Sequence, residues 1–356
     1  MRVTGLFDRG KITRSILTSL LLIAVVAGSL GNCAFAQNAT WSTKASMPTA
    51  RLGLGADVVN GIMYAIGGYN NVSLLQTNEA YDPSINGWTA QAPMLTKRYL
   101  FGVGVVNDIL YAMAGACSTA YCAPGVIEAY NPVNDAWTTK AAALTPRAGL
   151  AVGVVNGIIY TFGGFNGTYL NTVEAYDPSS DTVATKASMP TARVYAAASV
   201  VNGIVYVISG EDDAGVVSTV EAFDPSTDTW ATKASIPTPR ALLTGQMVNG
   251  VVYAVGGFDS SGSLGTVEAY DPSTDTWTTR PSMPTARNAL GSGVVNGVLY
   301  AVGGENTSGA SLSTNEALSE GPTSRERCKK DGWKTFPQFR NQGECVSFDA
   351  TGGWNK

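Results

Sequence analysis

The sequence predicts an all-β fold in which six four-stranded blades pack radially into a closed ring. Three observations carry this prediction. The segment "VEAYDPSTDTWTTRPSMPTAR" at 267–287 returns in near-copies along most of the chain. Each copy holds four short apolar runs separated by turn chemistry. The last copy breaks off at "NEALSEGP" (315–322), while a spare Trp-bearing run precedes the first.

The period is read from the arginine that ends each "MPTAR". It recurs at Arg51, Arg98, Arg147, Arg193, Arg240 and Arg287, with steps of 47, 49, 46, 47 and 47 residues. A glycine-ended apolar element keeps the same step at Gly68, Gly115, Gly164, Gly210, Gly257 and Gly304. So do Glu79, Glu128, Glu174, Glu221, Glu268 and Glu316. Self-similarity at a fixed period of this length is the signature of a repeat architecture.

The fifth copy shows the elements. "ALLTGQMV" (241–248) is read as the first strand, and "NG" after it as a two-residue hairpin turn. "VVYAV" (251–255) is the second strand, stopped by Gly256 and Gly257. The polar loop "FDSSGSLG" leads to "TVEAY" (266–270), which ends at "DPSTD", where Pro fixes φ and Asp caps the turn. "TWTTR" (276–280) is the fourth strand. A lone sheet of this size leaves two faces uncovered. Packing six radially covers them, which is the β-propeller solution.

The fourth-strand position is held by Trp41, Trp88, Trp137, Val183, Trp230 and Trp277. Trp41 precedes the first arginine, and no such residue follows "NEALSEGP". The sixth blade therefore lacks an outer strand that "ATWSTK" (39–44) can supply. Closing the ring this way removes an exposed edge and ties the chain ends together.

Double glycine after an apolar strand, then Glu-x-Tyr-Asp-Pro, then Trp, co-occur in order over residues 41–320. This pattern resembles the Kelch repeat, so the resemblance implies a six-bladed Kelch-type β-propeller. The copies depart from it at Ala114 and Ser209 for the first glycine, Val183 for Trp, and Leu318–Ser319 for Tyr-Asp. In the resembled family, the loop after the double glycine and the loop ending in arginine share one face near the central channel.

The start of the chain reads as a targeting segment. "MRVTGLFDRGKITR" is basic, "SILTSLLLIAVVAGSL" is apolar, and Ala34 and Ala36 suit cleavage after residue 36. We expect a signal peptide at 1–36, the propeller at 37–320, and a linker with a small Cys-bracketed segment at 321–356. Secretion, or residence in a periplasm, follows. Cleavage would remove Arg2, Arg9, Lys11, Arg14 and Asp8, moving the net charge from −4 to −7. An acidic exported chain with no second long apolar run is a poor partner for nucleic acid or for a membrane. A monomer is expected.

Cys117, Cys122, Cys328 and Cys345 form an even set, which in an exported chain suggests two disulfides. Proximity favours 117–122 and 328–345, although three pairings are formally open. The chain has no histidine. That excludes Ser–His and Cys–His nucleophiles and histidine-ligated metals, including the copper site of Kelch-like oxidases. No catalytic residue is assigned and no cofactor is expected, calcium being the one ion the acidic loops would suit. The alternative is a carbohydrate-active enzyme, such as a Kelch-type sugar epimerase, using Glu, Asp, Arg and Tyr.

The in-register arginines and glutamates read as a structural pair repeated in each blade, because a binding site needs asymmetry. Function is expected where the copies differ, on the loops. Glu211, Asp212, Asp213, Asp259 and Glu305 fall on neighbouring copies and would suit a cation or sugar hydroxyls. Tyr69, Phe165 and Phe258, with Tyr99 and Tyr195 just past the arginines, would suit a glycan or peptide. The reading is an extracellular module that binds a glycan or protein through this loop face.

Overall fold

The computed structural model describes residues 39–117, 120–121 and 125–320. Their regular structure is all strand: six four-stranded antiparallel sheets and three two-residue hairpins. The predicted signal peptide, the Cys-bracketed tail, and Cys122, Cys328 and Cys345 lie outside the described residues; Cys117 ends a short strand, Ala116–Cys117.

Blade 5 shows the common plan, with strands Thr244–Val248, Val251–Val255, Val267–Asp271 and Thr276–Arg280 from the axis outward. The first strand is shorter than expected. Residues 241–243 instead turn across the top of the channel, where Leu242 takes a φ of +55°. The "NG" turn is the reason for tight register. Asn249 and Gly250 both have positive φ, at 53° and 82°, as a type I′ hairpin requires.

The double glycine is two different requirements. The second glycine sits at φ between 99° and 113° in every blade, and a Cβ there would run into neighbouring backbone or side-chain atoms. The first sits near 60°, a left-handed value that non-glycine residues can adopt, although a Cβ there also approaches the carbonyl of the next blade's arginine. The departures at Ala114 (φ 52°) and Ser209 (φ 56°) therefore fall only at the first position.

The "MPTAR" linker is also decoded by contacts. Its apolar residue (Met47, Met94, Leu144, Met189, Ile236, Met283) is buried. Its threonine hydroxyl donates to the repeat glutamate at 2.5–2.9 Å in all six blades. Its arginine, fully buried, pairs with the same glutamate at 2.5–2.9 Å. Burial pushes Arg51 and Arg287 down to about 10 against the pull of their glutamates, so both stay charged at neutral pH.

Within four blades a third-strand ring packs on the outer-strand Trp, at 5.0–5.1 Å, and the larger apolar clusters run between blades. Six buried clusters each join two neighbouring blades, the last joining blade 6 to blade 1. Tyr270 of blade 5, for example, lies 5.5 Å from Tyr206 of blade 4. The turn after the third strand grips the incoming linker. Asp275 Oδ1 accepts from Tyr270 Oη at 2.6 Å and from Ala234 N–H at 2.9 Å, while Trp277 Nε1 donates to Ala234 O. Those bonds hold the Asp275 carboxyl below the usual range, the tyrosine contributing most.

The ring closes as the broken copy predicts. Strand Thr40–Thr43 pairs antiparallel with Asn315–Ser319, Trp41 facing Leu318, and completes blade 6. Two substitutions fit the sequence to this seam. Blade 6 has no turn aspartate, and the linker residue whose N–H would need it is Pro281, which has none. Trp41 Nε1 still donates to Pro281 O at 2.8 Å. The buried Glu320 supplies the missing carboxylate, accepting from Tyr253 Oη at 2.7 Å.

Candidate functional site

The loop face is built by one backbone device. In each blade the residue after the arginine bridges the residue after the double glycine: Leu52 with Tyr69, Tyr99 with Ala116, Ala148 with Phe165, Val194 with Glu211, Ala241 with Phe258, and Asn288 with Glu305. The next residue in each blade (Gly53, Leu100, Gly149, Tyr195, Leu242, Ala289) takes a φ of 49–66°. Its N–H donates to the carbonyl of its counterpart in the preceding blade, at 2.8–3.0 Å. Six such bonds close a circle around the axis, joining blade 1 back to blade 6 through Gly53 N and Ala289 O. The face is therefore a rigid rim.

On this rim the loops are not equivalent. Blades 4 to 6 carry the acids. Glu211 accepts from Tyr169 Oη at 3.1 Å, which ties the loop of blade 3 to that of blade 4. Asp212 and Asp259 cap their own turns, through Ala214 N and through Ser261 N and Oγ. Asp213 is exposed. Glu305 is half-buried, its backbone carbonyl accepting from Ser263 Oγ. Among the described residues no three acidic or cysteine side chains converge to hold a metal ion.

Blades 1 and 2 carry the apolar sector. Tyr69 and Tyr99 lie with ring centroids 6.1 Å apart. Val72 is 85% exposed at the tip of its loop, and Leu95, 56% exposed, replaces the linker proline. The aromatics are less free than the sequence implies. Only Phe258 is exposed, at 43%. Tyr69, Tyr99, Phe165 and Tyr195 are half-buried, because they pack sideways along the rim. Tyr195 covers Gly149, Tyr99 covers Gly53, and Phe165 meets Tyr169 at 5.2 Å. Lys97 stands exposed beside the apolar sector.

Below the rim runs a central cavity of about 470 Å³, lined by the innermost strand of every blade. Its residues also break the repeat. The third residue of the innermost strand is Asp57, Gly104, Gly153, Ser199, Gln246 and Gly293 in blades 1 to 6. Among the described residues Asp57 is the one ionisable side chain on the wall. In the sequence a single Asp in one copy carries no signal, because only the fold gathers the copies around an axis.

Burial pushes the Asp57 carboxyl up to about 6, against the pull of the Val58 N–H that it accepts at 2.7 Å. Its folded value lies above its unfolded value, so the folded chain holds a proton more tightly. Stability from this group is greatest below the unfolded value and falls as pH rises through 6. Asp57→Asn is expected to raise stability at pH 7.5 by about 1–2 kcal/mol, the raw shift being discounted for partial exposure. The gain should vanish below about pH 4. Denaturant titration of both chains at the two pH values checks this; a less stable Asn variant at pH 7.5 would mean a partner for the carboxylate.

A family model described as the KLHDC2/KLHL20/DRC7 Kelch-repeats domain matches residues 102–304, and a Kelch-motif model matches residues 50–95. The solved structure of YjhT superposes with a TM-score of 0.68 at 17% identity, over 78% of this chain and 97% of that one. At that identity the likeness shows the fold alone. No curated protein matches the chain.

Proposed function

Because this chain belongs to the Kelch-repeat family, we propose that it is a protein-interaction module that works through its loop face. The carrying observation is the asymmetry of a rim whose frame is six-fold. An apolar sector on blades 1 and 2 (Tyr69, Tyr99, Val72, Leu95) faces acidic residues of blades 4 and 5 (Glu211, Asp212, Asp213, Asp259) across the axis and adjoins the loop of blade 6 that carries Glu305. Such a surface suits a segment with an aliphatic or aromatic anchor followed by basic residues. The export expected from residues 1–36 would put that partner outside the cytoplasm. The sugar-epimerase alternative finds no observation in its favour among the described residues, where Glu211, Asp212 and Asp259 are engaged with Tyr169 or with their own turns.

A peptide array varying anchor and charge tests the proposal. Basic peptides with a Leu or Phe anchor should bind, and binding should weaken with salt. The triple change Asp212→Asn, Asp213→Asn, Asp259→Asn, and separately Val72→Ser with Leu95→Ser, should each weaken it about tenfold or more. Equal binding by both variants would sink the loop-face assignment. A glycan array run beside it decides the chemical class: glycan binding without peptide binding replaces the protein partner by a sugar.

A further inference from the structure

We propose that the central cavity, apart from the loop face, is a binding site for a small organic cation, an ammonium head on an apolar body, with Asp57 as its anchor. In blade 5 the third residue of the innermost strand, Gln246, reaches the next blade, donating through Nε2 to Ser292 Oγ at 3.0 Å and to Ser292 O at 3.2 Å. Ser292 is bonded in turn to Thr244 Oγ1. That side of the cavity therefore holds the donor end of Gln246 in a polar network.

Asp57 holds the same place in blade 1, but the position across its seam, equivalent to Ser292, is Val103. Its one hydrogen bond among the described residues comes from the adjacent Val58 N–H. A carboxylate facing valine in a confined cavity is costly, and among the described residues no cationic side chain lines the cavity to offset it. The second strand of its own blade places Tyr64 opposite, and the second strand of blade 2 carries Tyr111. Burial raises both phenols, so both are neutral. The innermost strands of blades 2 and 6 carry no ionisable residue.

The rest of the cavity defines what would join the carboxylate. Blades 2 and 3 contribute Val103, Val105, Val152 and Val154, an apolar wall. Gln246 Oε1, level with Asp57, accepts no hydrogen bond among the described residues. Two acceptors on one side and valines on the other suit a donor-only, positively charged head with an apolar body. The volume is many times the roughly 30 Å³ of one water, and lies in the range of small-molecule sites.

The test is calorimetric titration of the full chain with phenethylammonium at pH 7.5, beside its uncharged counterpart 2-phenylethanol and the short ethylammonium. Phenethylammonium should bind, and both comparison compounds should bind about tenfold more weakly or worse. Asp57→Asn should weaken phenethylammonium by about tenfold or more, and so should lowering the pH to 4.5, where the carboxyl is protonated. Asp57→Ser, the residue of blade 4 at this position, serves if the Asn variant does not fold. No heat at about 10 mM phenethylammonium, unchanged affinity in the Asp57 variant, or equal binding of 2-phenylethanol each overturns the proposal. The loop-face triple variant should bind phenethylammonium as the parent does; loss there would place the cation on the rim and overturn the cavity assignment.

Discussion

Deletion of residues 39–44 is expected to cost about 4–6 kcal/mol and to lower the melting temperature by roughly 10 °C. The segment pairs four residues with Asn315–Ser319, and each ladder bond is worth about 1 kcal/mol. Trp41 adds about 2 kcal/mol, the lower part of the range for an aromatic truncation, because it is only half-buried. Its indole also donates to Pro281 O, the bond that ties blade 6 to the linker from blade 5. Two consequences separate the seam from an ordinary strand. The edge of Asn315–Ser319 would be left bare and would pair with another copy, so the deleted chain should self-associate in size-exclusion chromatography. Trp88→Ala, by contrast, should lose a comparable packing term while its chain stays monomeric, because the outer strand of blade 1 is covalently continuous with its blade. A deleted chain that melts within about 2 °C of the parent would mean that the ring is held shut by the inter-blade clusters alone.

The seam shows why so much of the fold was legible. A period near 47 residues, a counted set of fourth-strand positions and one missing member suffice to place Trp41 beside Leu318, because each statement concerns repetition and ring closure requires it. The Arg–Glu pairs were legible for the same reason. What repetition conceals is what was missed. The circle of backbone hydrogen bonds on the rim passes through Gly53, Leu100, Gly149, Tyr195, Leu242 and Ala289. Only two of the six are glycines, so nothing in the sequence announces a left-handed backbone there; the geometry is imposed by closure. In the sequence Tyr195 is a loop aromatic that would suit a ligand, yet its place in that circle turns its ring onto Gly149. Asp57 is the opposite case. It sits inside an ordinary apolar strand, "GADVV", and becomes conspicuous only when five other strands bring glycine, serine and glutamine to its level.

Glu268→Ala is expected to destabilise the propeller by about 3–5 kcal/mol, and Arg240→Met with Glu268→Leu to recover most of that loss. Arg240 is fully buried, with Nε on Gly256 O, Nη2 on Ala254 O, and Nη1 shared between Thr238 O and Glu268. Removing the carboxylate leaves a guanidinium without a counter-charge and Thr238 without its acceptor. Removing both charges leaves only packing to satisfy, and buried pairs replaced by apolar residues of similar volume are often no less stable. Blade 5 is the sharpest place to test this. Arg240 is the one repeat arginine whose Nε finds an acceptor, so its site is the most completely built of the six. Denaturation midpoints of the three chains give the result, and binding of the array peptides gives its meaning. The double variant should bind as the parent does, since a charge repeated six times and sealed inside each blade cannot distinguish one side of the rim from the other. If it folded normally but lost its partner, the repeated pairs would belong to the binding surface. The division between a symmetric frame and asymmetric loops would then have to be abandoned.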